Sequence, residues 1–197
     1  MMAERRAELR RTTRETDVLV RLGLEGGSPA AITTGLGFLD HMLESLATHS
    51  RFALEVKATG DLHVDAHHTV EDVGLVLGEA FSQALGDRSD IERFGHAVVP
   101  MDESLATATV DCSGRGYARV EIGFVGTSVG GIPTSLLTHF FEVFARAGGL
   151  TLHLSAQGRD DHHLAEASFK ALARALREAA RQDPDHSIGV PSTKGSL

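Results

Sequence analysis

One cysteine, Cys112, stands alone among 197 residues, which excludes an internal disulfide and a cysteine-built zinc site. Tryptophan is absent. No apolar run reaches the roughly 18 residues that a membrane helix needs, and residues 1–13 lack the apolar stretch of a secretory signal. A cytoplasmic protein that makes no membrane contact is therefore the expectation. Positive charge is also scarce. Lys and Arg number 19 against 27 Asp and Glu, a net charge of -8, so no basic face points to nucleic acid. The only dense basic stretch, Arg5, Arg6, Arg10, Arg11 and Arg14, reads as a solvated N-terminal arm. No G-x-x-x-x-G-K-[ST] motif is present, which removes support for nucleotide hydrolysis.

The hydrophobic content of 42% suits one domain, or two half-domains sharing a core. The 11 histidines are out of proportion to the other cations, and their placement exposes a repeat. Eleven residues after His41 and after His139 an alternating segment begins: Phe52, Leu54, Val56, Ala58 in one copy, Leu150, Leu152, Leu154, Ala156 in the other. Gly60 and Gly158 follow at matched spacing, then a polar loop, three residues longer in the first copy. Both loops end in H-H-x-x-E: His67, His68, Glu71 and His162, His163, Glu166. An amphipathic helix follows in each.

Upstream, Val20, Leu22 and Leu24 alternate as Ala118, Val120 and Ile122 do, which sets Arg21 in register with Arg119. Each half then reads strand, helix, strand, helix, with first helices at about 38–48 and 135–147 and an extra antiparallel pair around 97–110. The expected class is α+β, a duplicated βαβ-type unit. The expected division is 1–92, 93–182 and a C-terminal arm, 183–197.

Two copies of one polar signature, each with a further histidine at the same upstream distance, point to metal. His67 and Glu71 lie four apart, on one helical face, within reach of one ion. His68 is turned about 100° from His67 and is better placed to serve a different ion. Pseudo-symmetry pairs His67, Glu71 and His163 in one site, and His162, Glu166 and His68 in the other, with His41 and His139 adding one ligand each. Imidazoles with a carboxylate suit manganese, iron, cobalt, nickel or zinc, and the spacing does not choose among them. Arg93, Arg115, Lys170 and the 191–195 segment P-S-T-K-G supply the parts of a phosphate site, each of which also reads as an ordinary turn or ion pair. The turn at Pro100-Met101-Asp102-Glu103 is acidic and has no assigned role.

Together these segments resemble the imidazoleglycerol-phosphate dehydratases, lyases of histidine biosynthesis. The match is carried by G-F-L-D-H-M-L at 37–43, D-A-H-H-T-V-E-D at 65–72, R-F-G at 93–95 and P-M-D-E at 100–103. It continues through S-G-R at 113–115, H-F-F at 139–141, H-H-x-x-E-A-x-F-K at 162–170 and P-S-T-K-G at 191–195.

The resemblance implies four-stranded sheets backed by helices, and a homo-oligomer of 24 subunits with its sites at subunit interfaces. It implies two Mn(2+) per site, on His41, His67, His68, Glu71, His139, His162, His163 and Glu166. It places Glu15, His41, Met42, His49, His67, Glu71 and His162 beside a phosphorylated imidazole substrate. It puts Arg93, Arg115, Lys170, Ser192, Thr193 and Lys194 at the phosphate end. Ser45, Gly116 and Asp160 depart from the family's usual Gln, Pro and Asn.

The implied reaction dehydrates D-erythro-imidazoleglycerol phosphate to imidazole acetol phosphate. Two ions on the ring nitrogens would favour the imidazolate, whose electrons expel hydroxide, with Glu15 and Glu166 candidates for proton transfer. Two other classes fit part of the pattern. A metal-storage or sensing protein leaves the Arg, Ser and Lys residues idle, and a dimetal phosphoesterase calls for more Asp.

Overall fold

The computed structural model describes residues 5–26, 30–183 and 189–194. The expected C-terminal arm is thus described at 183 and 189–194, and its remainder lies outside the described residues.

The fold is mixed α+β, with two four-stranded sheets and four long helices. The first half runs β1 (Arg6–Thr12), β2 (Thr16–Gly23), β3 (Ala31–Thr33), α1 (Gly37–Ser50), β4 (Ala53–Gly60) and α2 (His67–Leu85). The second runs β5 (Phe94–Met101), β6 (Ser104–Asp111), β7 (Tyr117–Ile122), a small hairpin of β8 (Ser128–Val129) and β9 (Ile132–Pro133), α3 (Thr134–Ala147), β10 (Thr151–Gln157) and α4 (Asp161–Ala179). The sheet orders are β1-β2-β4-β3 and β5-β6-β10-β7, each with three antiparallel strands and one parallel pairing at its last position. The same topology is thus used twice.

Period-2 patterning decides which sheet face is covered. In β2, Thr16, Val18, Val20 and Leu22 are buried, and α2 packs on that strand. The opposite face carries charge: Arg21 bonds Glu8 and Glu55, and Lys57 lies 2.6 Å from Glu55. The second sheet repeats the scheme, with Ala106, Ala108 and Val110 of β6 buried where α4 covers the sheet. Helices of opposite halves then pack on one another, α1 against α4 and α2 against α3. Across this junction Phe81 of α2 and Phe144 of α3 have ring centroids 6.2 Å apart, and further aromatics lie between α3 and α4. Phe141 and Phe169 have ring centroids 4.6 Å apart, and Phe140 and Phe169 5.3 Å apart. Close approach needs glycine at Gly78, where a Cβ would sit 2.5 Å from the Phe144 carbonyl oxygen.

Two expectations are corrected. The basic N-terminal segment is not a solvated arm: Arg6–Thr12 is strand β1, paired antiparallel along β2. Ala7, Leu9 and Arg11 turn inward, Arg11 to Asp72 of α2, and the charges on both faces hide the alternation; Arg10 pairs with Asp17. Secondly, Arg21 does not correspond to Arg119. By sheet position β2 matches β6, and β7 matches β3. The β8–β9 hairpin lengthens the second half ahead of α3, so counting back from the helix slips by one strand. The pair around 97–110 is therefore no addition, but β5 and β6 in the places of β1 and β2. Each half reads β-β-β-α-β-α. Among the described residues, no helix is long and apolar enough to cross a membrane.

Candidate metal centre

Both H-H-x-x-E signatures open a helix, and an aspartate fixes each start. Asp160 caps α4, accepting from the backbone N–H of His162 at 2.8 Å and of His163 at 3.2 Å. Asp65 accepts from the His67 N–H at 2.7 Å at the head of α2. Such capping satisfies N–H groups that the first helical turn leaves free and orients the residues that follow.

The second and third ligand positions then come together by helix packing. On α4, His162 Nε2 lies 3.1 Å from Glu166 Oε2, and His41 of α1 brings its Nε2 to 3.4 Å from the same oxygen. On α2, His67 Nε2 lies 3.9 Å from Glu71 Oε2, while His139 of α3 places its Nε2 2.9 Å from Glu71 Oε1. In each trio the donor atoms lie within 4.8 Å of one another. The cross-pairing is thus His41 with His162 and Glu166, and His139 with His67 and Glu71. Each trio draws one histidine from one half of the chain and a His–Glu pair from the other.

This differs from the pseudo-symmetric pairing in which His163 joins His67 and Glu71, and His68 joins His162 and Glu166. Within one chain those two histidines turn elsewhere. His68 Nδ1 lies 3.0 Å from Asp61 Oδ2, and His163 Nδ1 lies 2.9 Å from Glu103 Oε2. Adjacent positions on a helix diverge by about 100°, which is the physical reason for the split. Both imidazoles are raised above their ordinary value, His68 first by its hydrogen bond to Asp61 and His163 first by its bond to Glu103. Asp61 and Glu103 escaped the sequence reading as partners, since only the tertiary fold brings loop carboxylates to these rings.

The carboxylates of the trios are held ionised. The Glu71 carboxyl lies below its usual value, chiefly through its bond with His139. At Glu166 burial works in the other direction, but the Lys170 ammonium, 2.7 Å from Oε1, outweighs it together with His41. Two imidazoles and an ionised carboxylate form a donor set that suits a divalent transition ion. Three donors also leave coordination positions open, as catalytic sites do and closed structural sites do not.

The remaining expected residues fall into separate places. Glu15 is exposed in the turn between β1 and β2, and its charge is felt at His68, so it lies toward the head of α2. His49, two turns beyond His41 on α1, is lowered by burial and then by Lys170 and Arg174. Met42, next to His41 on α1, is wholly buried. Ser45 is also buried, and its Oγ has no hydrogen-bond partner.

Arg93 and Arg115 meet at one carboxylate, with Arg93 Nε 2.8 Å from Asp111 Oδ1 and Arg115 Nη2 3.2 Å from Asp111 Oδ2. Arg93 Nη1 also donates to the Pro191 carbonyl at 2.6 Å, which brings Ser192, Thr193 and Lys194 to the same corner. Lys170 does not join them in this chain. The Arg93 N–H is bonded to Ala179, nine residues beyond Lys170, or about 13 Å along a helix.

The fold is thus α+β, two like sheets with two candidate metal-binding His-His-Glu trios between the helix pairs. The family model described as "Imidazoleglycerol-phosphate dehydratase" matches residues 34–176. The imidazoleglycerol-phosphate dehydratase of Gluconobacter oxydans is 50% identical over 198 residues, covering 100% of both chains. That of Methanoculleus marisnigri is 52% identical over 194 residues, 98% of this chain and 100% of its own. Among solved structures, the Staphylococcus aureus enzyme superposes with a TM-score of 0.82 at 35% identity, covering 90% of this chain and 99% of its own. The Pyrococcus furiosus enzyme also gives 0.82, at 38% identity, covering 96% and 100%. The chain belongs to the imidazoleglycerol-phosphate dehydratase family.

Proposed function

We propose that the chain is a manganese-dependent hydro-lyase of histidine biosynthesis that converts imidazoleglycerol phosphate to imidazole acetol phosphate. The observation that carries this reading is the double His-His-Glu trio, each member supplied by facing helices and each leaving coordination positions open. His41, His162 and Glu166 would hold one ion, and His67, Glu71 and His139 the other. His68 and His163, turned outward from their own trios, would complete the ligand sets of neighbouring subunits in a homo-oligomer of 24. Bound there, divalent ions would lower the pKa of the substrate's ring N–H and so favour the anionic ring, whose electrons can expel the neighbouring hydroxyl.

The chain's own residues do the rest. Lys170 keeps the Glu166 carboxylate ionised and places a cation beside the trio. Arg93 and Arg115 present guanidinium groups suited to a phosphate, with Ser192, Thr193 and Lys194 beside them. Anchoring the phosphate holds the reacting carbons in place against the histidines. Lys170 would meet that phosphate from an adjacent subunit, since its own chain keeps it apart from Arg93. Glu15 takes the proton from the carbon adjacent to the one that loses hydroxide, and the freed C–H electrons form the enol that becomes the ketone. The two like halves are read as an internal duplication, divided near residue 92.

The test is turnover of imidazoleglycerol phosphate by the purified protein, stripped of metal and reloaded with manganese. Activity that is lost and then regained supports the reading. A protein that regains two ions yet forms no ketone removes the lyase and leaves metal storage. Glu15→Gln should lower turnover by roughly 10²–10⁴-fold with metal content unchanged, the usual range for an acid–base group.

A further inference from the structure

One cavity lies away from both trios. It has a volume of about 750 Å³ and opens where the end of α1, the end of α4 and the start of β1 meet. Five arginines line it: Arg5, Arg51, Arg174, Arg177 and Arg181. In a chain of net charge -8, more than a quarter of its 19 cationic residues line one groove. Lys170, Arg174 and Arg177 follow one another at spacings of four and three, so they share a helical face of α4, and Arg181 lies just beyond its end.

The carboxylates at the rim are already engaged. Glu25 accepts from Arg5 Nε at 2.6 Å, and Glu178 accepts from the His96 N–H at 2.8 Å. Arg181 is paired with Glu92 at 2.9 Å. Arg51, Arg174 and Arg177 have no carboxylate partner among the described residues. The Arg177 guanidinium is lowered from its ordinary value, first by burial and then by repulsion from Arg51, Arg174 and Arg181. Three arginines without carboxylate partners, gathered in a concave site, favour capture of an anion. Guanidinium forks match phosphate oxygens in pairs, and a cavity of this size admits a phosphate ester as well as the free ion.

We propose that this groove is a second phosphate-binding site, taking inorganic phosphate or a small phosphate monoester. Its lining includes neither Arg93 nor Arg115, and the guanidinium of Arg93 is engaged by Asp111 and Pro191. The groove is also remote from the trio on α4, because Glu166 and Arg177 are separated by about 16 Å of helix.

The test is equilibrium binding of radiolabelled inorganic phosphate to the metal-loaded, fully assembled protein, compared with Arg51→Gln/Arg177→Gln and with Arg93→Gln. The double variant should bind phosphate at the groove about tenfold or more weakly, since charge-assisted bonds are lost, and keep the class of sites that Arg93→Gln removes. Superimposable isotherms for wild type and double variant overturn the proposal. Should the double variant fail to fold, judged by its circular dichroism melt, Arg51→Gln alone decides. Its exposed side chain follows α1, and an unchanged isotherm there is equally adverse. Repeating the titration with glycerol 3-phosphate separates the sources: tighter binding at the groove identifies a monoester, and equal binding identifies free phosphate. A double variant that sediments differently but binds phosphate as before assigns the arginines to subunit assembly and overturns the proposal.

Discussion

Cys112 shows how far burial alone can silence a reactive group. Fully enclosed, its thiol is pushed up to about 12, first by desolvation, despite the nearby charges of Arg88 and Arg93. In the unfolded chain the thiol titrates near 9.0. A raised folded value means that this contribution to stability is complete below about pH 9 and is lost as pH rises toward 12. Native protein at pH 8 should therefore react with a disulfide reagent far more slowly than protein in denaturant, and equal rates would show the thiol to be accessible. Gly95 marks a second constraint. A Cβ there would collide with the Ala175 carbonyl and lie 2.7 Å from the Ala179 nitrogen, where β5 presses on α4. Gly95→Ala should cost about 1–3 kcal/mol or more, read as a lowered midpoint in urea. At this scale the histidines and glutamates were legible, because ligand chemistry restricts residue type. The burial of Met42 was not, since a position beside His41 does not show that the side chain is enclosed.

Among elements, α4 carries the most. It supplies His162, Glu166 and Lys170 to a trio and Phe169 to the aromatic junction with α3. Phe169→Ala should destabilise the fold by about 3–5 kcal/mol, as expected for a buried aromatic, and should loosen α4 against α3. A calorimetric midpoint unchanged from wild type would show the junction to be non-essential. Asp160→Ala removes the cap of α4 and should cost about 1 kcal/mol, while Asp160→Asn, which can accept the same N–H groups, should be near neutral. The two first helices and the strands after them were legible from their periodicity. Strand β1 was not, because its outward positions are polar and its inner face carries the charged Arg11 beside Ala7 and Leu9. The correspondence of β7 with β3 was hidden for a different reason, the β8–β9 hairpin, since spacing along a chain records insertions that sheet position does not.

For the whole molecule, the essential relation is that helices of opposite halves face one another. The repeat showed that ligands would be divided between the halves. It did not show which histidine crosses, because that depends on α1 packing on α4 and α2 on α3. The result assigns crossing to His41 and His139, and leaves His68 and His163 turned to Asp61 and Glu103. The most direct measurement is the metal content of the manganese-loaded protein, counted per chain in wild type, His41→Ala, His139→Ala and the double variant. The account predicts two ions in wild type, one in each single variant and none in the double, with the fold retained in all four. Two ions held by both single variants would contradict it, since neither crossing histidine would then be a ligand.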